Sequence, residues 1–323
     1  MTHYAKVVGT GSYLPKRIMT NADLEQRVDT PDEWIRERTG IRQRHVAAAD
    51  ETTADLAEQA SRRALAAAGV DVAQLDLIIV ATTTADQIFP SVACLLQGRL
   101  GAPTCTAFDV QAVCTGFVYA MGVAHQFFRA GTARCALIVG AETMSRIVNW
   151  KDRSTCVLFG DGAGAVVLQA GDEPGVLSAH LHADGQYAQL LHVPAGISHD
   201  QARWQAGDAF LEMRGNEVFR MAVTALGRIV DETLAANGLS QEDIDWLVPH
   251  QANERIIQAT ARKLRLSTEQ VVMTVAEHGN TSSASVPLAF DAAVRDGRIR
   301  PGQTVLMEAF GGGLTWGSIL LRA

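Results

Sequence analysis

The sequence contains no continuous apolar run of the roughly 18 residues that a membrane-spanning helix needs. Its five cysteines form no Cys-x-x-Cys pair, which argues against a zinc site and against a disulfide framework. The N-terminus also lacks the charged and apolar stretches of a secretion signal. We therefore expect a cytoplasmic protein with reduced cysteines, no bound metal and no membrane association.

An excess of positive charge is lacking as well. The 323 residues carry 28 Lys and Arg against 35 Asp and Glu, a formal net charge of −7, which argues against nucleic-acid binding through bulk charge. Hydrophobic residues make up 47% of the chain, enough for a large core. The length predicts two domains or one doubled domain.

Strand and helix patterns alternate along the chain. Residues 77–81 form an apolar run typical of a strand buried on both faces, and residues 106–110 predict a second short strand. Helical patterns cover about 53–68 and 91–100, and a further one runs to about Phe128. This alternation predicts an α/β layered fold.

An internal repeat with a constant offset organises these elements. Gly69 and Gly238 lie 169 residues apart, and each is followed by an aspartate and an apolar strand. The same offset aligns residues 136–139 with residues 305–308. We therefore predict two copies of one α/β unit, residues 1–172 and 173–323, joined by a Gly- and Pro-containing linker.

A doubled fold brings strand ends from both copies to one crevice, where ligands of α/β proteins commonly bind. Cys114 follows the strand 106–110 and begins a helix, His250 ends a strand of the second copy, and Asn280 precedes that copy's next helix. We expect these three side chains to be neighbours.

Cys114 is the candidate nucleophile. A helix N-terminus offers free N–H groups and a positive dipole end, which lower a cysteine pKa from about 8.5 toward roughly 3.5–7.5. The alternative interpretation is a small buried hydrophobe, the usual role of a free cysteine. His250 and Asn280 favour catalysis, because two hydrogen-bond donors aimed at one oxygen stabilise an enolate.

Two glycine-rich runs carry weaker signals. Gly311–Gly313 follows a predicted strand and can offer a backbone N–H as an oxyanion hole, or it forms a tight turn that needs positive φ. It lacks the Lys-Ser/Thr of a phosphate loop. Gly160–Gly164 precedes a strand and does not open a helix, so it does not predict dinucleotide binding.

Segments spread over nearly the whole chain form a recognisable set: residues 33–36 (EWIR), 38–41 (RTGI), 113–117 (VCTGF), 159–165 (FGDGAGA), 215–219 (GNEVF), 249–253 (PHQAN) and 279–282 (GNTS). Through these segments the chain resembles β-ketoacyl-[acyl carrier protein] synthase III, the initiating condensing enzyme of bacterial fatty-acid synthesis. The third polar residue of the site indicates the subtype, since elongating synthases carry a second histidine in place of Asn280 and thiolases carry a second cysteine.

The resemblance implies a thiolase-like αβαβα layered fold of two pseudo-symmetric halves, assembled as a homodimer. It implies that an acyl-CoA primer, acetyl-CoA foremost, acylates Cys114. Malonyl-acyl carrier protein is then decarboxylated with His250 and Asn280 on the enolate oxygen, giving 3-oxoacyl-acyl carrier protein, CoA and CO2. The backbone N–H groups of Cys114 and Gly313 would form the oxyanion hole, and no cofactor is needed.

Substrate-binding residues also follow from the resemblance. Trp34 and Arg153 would sandwich the CoA adenine, with Arg38 near its phosphates and Asn216 as a further CoA contact. A tryptophan that stacks a base beside arginines makes independent physical sense. The competing interpretation of Trp34 is a residue that only packs its helix.

The acyl pocket and the carrier-protein surface are implied in the same way. Phe89 would reach the acyl pocket of the partner subunit, and Thr83 and Phe117 would line that pocket. Basic residues near the helix predicted at 253–266 would bind the acidic carrier protein, although a charged helix face is also compatible with simple solvation. The predicted carrier-protein residues are Arg220, Arg255, Arg262 and Lys263.

Two other functions remain open from the sequence. One is a related enzyme of secondary metabolism that uses other acyl groups, which would share Cys114, His250 and Asn280. The other is a catalytically silent acyl-CoA-binding homologue, which the intact set of three residues argues against. Primer preference cannot be derived from the sequence, because one methylene changes binding by only about 1–3 kcal/mol.

Overall fold

The computed structural model of the protein describes residues 4–323. Its first half begins with a long strand and alternates strands and helices up to Gly171. The elements are β1 (Tyr4–Tyr13), β2 (Arg17–Thr20), α1 (Asn21–Glu25), α2 (Asp32–Thr39), β3 (Gln43–Val46), α3 (Thr53–Ala68), β4 (Leu77–Ala81), α4 (Val92–Leu100), β5 (Thr106–Val110), α5 (Gly116–Arg129), β6 (Cys135–Thr143) and β7 (Asp161–Gly171).

The second half follows a related order, with a longer helix at 215–237 and, in place of β5, a single bridge at Val271. Its elements are β8 (Val176–Ala183), β9 (Leu191–His192), α6 (Gln201–Gln205), β10 (Glu212–Met213), α7 (Gly215–Asn237), β11 (Trp246–Pro249), α8 (Glu254–Lys263), α9 (Val275–His278), α10 (Ser285–Arg295), β12 (Thr304–Gly311) and β13 (Thr315–Arg322).

Two mixed sheets form the frame. The first has the order β1-β7-β6-β4-β5, in which β4 is parallel to both β5 and β6, while β7 is antiparallel to both β6 and β1. The second has the order β11-β12-β13-β8, with β11 and β12 parallel. In parallel neighbours the strand ends lie at one edge, and the helix that follows each strand begins there.

The helices complete five layers. α5 and α10 lie between the two sheets, where Phe117, Met121 and Phe290 form part of a fully buried core. α3 and α4 cover the outer face of the first sheet, and α7 and α8 cover the outer face of the second. The predicted αβαβα arrangement is therefore confirmed.

Four pairs of elements of the two halves correspond at the offset of 169 residues: α3 and α7 at their ends, and β4 and β11, α5 and α10, and β6 and β12 at their starts. Gly69 and Gly238 both end a helix in the left-handed conformation, with φ of 64° and 62°. Asp76 accepts the backbone N–H of Cys135, and Asp245 accepts that of Thr304 at the start of the equivalent strand. We propose residues 1–172 and 173–323 as the two halves, since this boundary falls in the turn between β7 and β8.

No helix within residues 4–323 combines the length and the apolar character that crossing a membrane requires.

Candidate active site

One cavity of about 340 Å³ is lined by Cys114, His250 and Asn280 together. Cys114 lies in the turn between β5 and α5, His250 directly follows β11, and Asn280 lies in the turn that precedes α10. The expected neighbourhood of the three side chains is thus confirmed. The fold brings them together because each follows a strand or precedes a helix at the shared edge of the two halves.

Backbone strain marks the two equivalent turns at this cavity. Single 3-10 turns, Val113–Thr115 and Ser282–Ala284, precede α5 and α10. Val113 and Ser282, which open these turns, have φ of 48° and 50°. Positive φ in a non-glycine residue costs of order 1–3 kcal/mol, and such residues cluster at functional sites.

Glycine at the end of β12 lets the backbone of that strand approach Cys114 closely. A Cβ at Gly311 would lie 2.8 Å from the backbone nitrogen of Cys114, so only glycine fits there. Gly313 has φ of 131°, and a Cβ on it would meet atoms of Thr315. The glycine that packs against Cys114 is therefore Gly311, whereas the assignment of an oxyanion donor to Gly313 stays a prediction.

Burial governs the acidity of the Cys114 thiol. Loss of water raises the pKa of Cys114 to about 12, and the nearby buried carboxylate of Glu142 adds to this, while the Ser282 hydroxyl acts in the opposite direction. The sequence-based expectation of a lowered pKa considered only the helix N-terminus and left out this desolvation. The thiol of the free protein is therefore protonated at neutral pH.

His250 is a buried neutral imidazole. Burial lowers the pKa of His250 to about 3. Its Nδ1 lies 2.9 Å from the Ser285 hydroxyl, which also accepts the backbone N–H of Gln251. The Ser285 hydroxyl can donate its proton to Nδ1, and in that tautomer the ring proton resides on Nε2. This tautomer makes the free edge of the ring a hydrogen-bond donor.

The Asn280 carboxamide is oriented by its own turn. Its Oδ1 accepts the backbone N–H of Ser282 at 2.9 Å, which leaves the amide NH2 free to donate. Its backbone is held as well, because its N–H donates to Leu158 O at 2.9 Å and its carbonyl accepts from Gly160 N–H at 3.0 Å. Both donors that the sequence predicts are thus available at the cavity.

Glu142 is a site residue that the sequence analysis missed. This fully buried carboxylate is the residue before the last in β6 and accepts hydrogen bonds from the hydroxyls of Thr84 (2.6 Å), Ser283 (2.9 Å) and Ser282 (3.2 Å). Burial raises the pKa of Glu142, and these hydrogen bonds work against that rise. A lone acid at the end of the apolar run 135–141 was the available signal.

Comparison with known proteins identifies the family. A family model described as 3-oxoacyl-[acyl-carrier-protein (ACP)] synthase III matches residues 108–185, and the C-terminal model of that synthase matches residues 234–323. A β-ketoacyl-[acyl-carrier-protein] synthase III of Thioalkalivibrio sulfidiphilus is 67% identical over 319 residues, 99% of this chain and 99% of that protein. The chain belongs to the β-ketoacyl-[acyl-carrier-protein] synthase III family. It is an acyltransferase that carries out an initiating condensation of fatty-acid synthesis.

Solved structures of related synthases have the same fold as this chain. The 3-oxoacyl-[acyl-carrier-protein] synthase III of Aquifex aeolicus superposes with a TM-score of 0.93 at 44% identity, covering 99% of this chain and 100% of that one. The priming β-ketosynthase of the R1128 polyketide pathway superposes with a TM-score of 0.94 at 37% identity, covering 99% of this chain and 96% of that one. The thiolase-like fold is shared with both.

Three of the four predicted CoA contacts of this synthase line the cavity: Trp34, Arg38 and Asn216. The guanidinium of Arg38 lies 4.7 Å from the Trp34 ring centroid, and that of Arg153 lies 5.3 Å from it. Trp34 is partly buried and packs against the neighbouring core, and its role in stacking on adenine stays a prediction.

The three predicted acyl-pocket residues are not among those that line this cavity of a single subunit, and their assignment stays a prediction. Phe117 is fully buried in the core between the sheets, because its position on α5 directs it into the central helix layer. Thr83 donates its backbone N–H to Glu142, and Phe89 is 82% exposed. None of the three lines the cavity, whose apolar wall is instead formed by Val157, Leu158, Phe159, Leu191, Met213, Val218, Phe219, Ala222, Leu226, Ile256 and Phe310.

The predicted carrier-protein residues differ in their exposure and in whether their charge is already paired within the chain. Arg255 lies at the cavity, with its guanidinium 5.5 Å from the Phe219 ring centroid. Arg220 and Arg262 are exposed on α7 and α8. Lys263 forms an ion pair of 2.9 Å with Asp231, so part of its charge is already compensated within the chain. The sequence pattern could not reveal this partner on another helix.

Within residues 4–323, no group of three or more His, Cys, Asp or Glu residues is arranged to hold a metal ion.

The raised pKa of Cys114 predicts how its alkylation depends on pH. Below the pKa the thiolate fraction grows tenfold per pH unit, so the rate with iodoacetamide should rise about 100-fold from pH 7 to pH 9 without levelling off. Mass mapping of peptides distinguishes Cys114 from the exposed Cys94. A rate that is already constant between pH 7 and pH 8 would show that the helix N-terminus outweighs desolvation.

Proposed function

We propose that the protein condenses an acyl-CoA primer, acetyl-CoA foremost, with malonyl-acyl carrier protein. The products are 3-oxoacyl-acyl carrier protein, CoA and CO2, and no cofactor takes part. The observation that carries this proposal is the single cavity lined by a thiol and by two oriented hydrogen-bond donors. Because both substrates are products of bacterial cytoplasmic metabolism, we place the reaction in the cytoplasm.

In the first half-reaction, the sulfur of Cys114 attacks the thioester carbonyl of acyl-CoA. A new C–S bond forms, the bond to the CoA sulfur breaks, and CoA leaves as the thiol with the proton of Cys114. The tetrahedral oxygen is stabilised by the backbone N–H of Cys114 and by that of Gly313. Since one thioester replaces another, the step is nearly balanced in free energy.

In the second half-reaction, malonyl-acyl carrier protein loses CO2 and forms an enolate. His250 donates from Nε2 and Asn280 from its amide NH2 to the enolate oxygen, which lowers the barrier to decarboxylation. The enolate carbon attacks the acyl carbon on Cys114, the C–S bond breaks, and the released thiolate takes a proton from solvent. A neutral His250 suits this role, because its ring proton is already available for donation.

CoA enters at the mouth of the cavity in this proposal. Trp34 stacks on the adenine with Arg153 on the opposite face, Arg38 binds the phosphates and Asn216 contacts the pantetheine arm. The short distances from both arginines to the Trp34 ring support this assignment. Arg153 must move away from the ring to admit the base.

The carrier protein binds beside this mouth. Arg220, Arg255 and Arg262 form an exposed basic surface that suits an acidic partner, and Lys263 contributes at its rim because Asp231 already pairs with it. The net charge of −7 makes a local patch necessary, since the chain as a whole would repel an acidic protein.

We propose a homodimer in which each subunit completes the acyl pocket of the other. Two observations support it: β5 is an unpaired edge strand of the first sheet, and Ile88 and Phe89 are 72% and 82% exposed. Pairing of the two β5 edges would cover both. In this arrangement Phe89 enters the acyl pocket of the partner subunit, next to Thr83, whereas Phe117 supports the pocket only from the core.

A second candidate function is the priming of a polyketide pathway with another acyl-CoA. The likeness to the R1128 priming synthase favours considering it, although that protein shares only 37% identity. The two functions use the same three residues and differ in primer. Condensation rates with a series of straight and branched acyl-CoA primers therefore distinguish them, and we expect acetyl-CoA to give the highest kcat/KM.

Separate measurement of the half-reactions tests the proposed roles. Cys114→Ala should abolish the gain of one acyl group in intact mass after mixing with acetyl-CoA. His250→Ala and Asn280→Ala should still be acylated, but each should decarboxylate malonyl-acyl carrier protein about 100- to 1,000-fold more slowly. Failure of the wild type to gain mass would instead support a silent acyl-CoA-binding protein.

Charge reversal tests the carrier-protein surface. The double variant Arg255→Glu and Arg262→Glu should raise KM for malonyl-acyl carrier protein about tenfold with little change in kcat, because attraction becomes repulsion. Added salt should narrow the difference. Arg300→Glu is the control for charge reversal, since Arg300 is also exposed but does not line the cavity. Equal KM values for the wild type, the double variant and Arg300→Glu would exclude this surface as the binding site of the carrier protein.

Subunit mixing tests the exchange of Phe89. Phe89→Ala should lower condensation activity, and Cys114→Ala should abolish it. In a mixed dimer, the subunit that keeps Cys114 receives an intact Phe89 from its partner, so mixing the two weak variants should restore activity. If native mass spectrometry shows mixed dimers without any gain in activity, Phe89 does not act across the interface. A monomeric wild type would refute the dimer itself.

A further inference from the structure

Arg44 is the largest fully buried side chain of the described residues and has no assigned role. It lies on β3, and none of its nitrogen atoms is hydrogen-bonded to a carboxylate. Burial lowers the pKa of Arg44 to about 10. A buried cation without an ionic partner is costly, and an apolar residue of similar size generally serves stability as well or better. A specific geometric purpose therefore deserves consideration.

The guanidinium joins β3 to two other segments, residues 19–21 and the segment that begins at Val157. Nη2 donates to Val157 O at 2.7 Å, while Nη1 donates to Asn21 Oδ1 at 2.8 Å and approaches Met19 O at 3.3 Å. The planar fork suits acceptors that lie in different directions, whereas a lysine ammonium would reach fewer of them. Arg44 thus anchors the segment 157–160 to the hairpin of β2 and β3 and to the start of α1.

The anchored segment is the one that holds Asn280. Leu158 O accepts the backbone N–H of Asn280, and Gly160 N–H donates to its carbonyl, so the two stretches pair like neighbouring strands. The stem of Arg44 fills the space behind this pair. Its Cβ would lie 2.9 Å from a Cβ at Gly160 and 3.1 Å from one at Gly279, which explains glycine on both sides of the contact.

We propose that Arg44 is a positioning residue for the decarboxylating half-reaction. It fixes the segment 157–160 and, through the two backbone hydrogen bonds, the direction of the Asn280 amide. The proposal rests on the proposed function of Asn280 as a donor to the enolate oxygen. Cys114 is held by other contacts, including the hydroxyl of Thr115 on Thr315 O at 3.1 Å, so the position of the nucleophile itself does not depend on Arg44.

The two half-reactions of Arg44→Lys and Arg44→Met test this role. We expect decarboxylation of malonyl-acyl carrier protein to slow about 10- to 100-fold, because misplacing a catalytic group by about 1 Å has effects of this size. Acylation of Cys114 by acetyl-CoA should stay within about twofold of wild type. Arg42→Lys and Arg42→Met are matched controls on the same segment, since Arg42 is exposed and only its backbone is bonded.

A double variant gives the readout that general loosening cannot mimic. If Arg44 acts through Asn280, Arg44→Lys should slow decarboxylation no further once Asn280→Ala is present. Three results would overturn the proposal. The rate reductions of Arg44→Lys and Asn280→Ala could multiply in the double variant, Arg44→Lys could slow both half-reactions equally, or it could slow neither. Should Arg44→Met fail to fold, Arg44→Lys, which keeps the charge and one donor, carries the test by itself.

Failure of the proposed function looks different. If Asn280→Ala decarboxylates as fast as wild type, the role of Asn280 is wrong whatever Arg44 does. If Asn280→Ala is slow and Arg44→Lys matches wild type, only the inference on Arg44 falls.

Discussion

The hydrogen bonds accepted by the buried carboxylate of Glu142 join the two halves of the molecule at the cavity. Glu142 is the residue before the last in a strand of the first half, and it binds hydroxyls from the turn of the second half that carries Asn280. An acceptor-only group in a dry environment must be satisfied, so the donors of both halves are drawn to it. Because Ser282 and Ser283 follow closely after Asn280, these bonds fix the turn that carries Asn280 against the first half.

The same burial that makes the site rigid also sets its protonation. Desolvation raises the pKa of Cys114 and lowers that of His250, so both are neutral in the free protein. A neutral imidazole suits hydrogen-bond donation to an enolate better than acid-base exchange with the thiol. The helix N-terminus at Cys114 favours the thiolate, but desolvation outweighs it.

Local signals in the sequence carried much of the fold. Apolar strands, glycines at helix ends and the offset of 169 residues are short-range or periodic features, and the structure repeats them down to the paired turns at Val113 and Ser282. Predictions that needed a side-chain direction were less secure. Phe117 belongs to the core because α5 lies between two sheets, and Lys263 has a partner on α7, which no spacing within α8 could indicate.

The sequence by itself determined that Cys114, His250 and Asn280 occupy strand and helix ends of a doubled α/β unit, because hydrophobic periodicity and repeat spacing are properties of the chain. Only the tertiary structure decided which groups surround them. The shared role of Glu142, the fork of Arg44 behind Asn280 and the rise in the pKa of Cys114 all depend on segments far apart in sequence that exclude water together. Desolvation and long-range hydrogen bonding arise from the packing of residues that are distant in sequence, so local sequence patterns do not predict them.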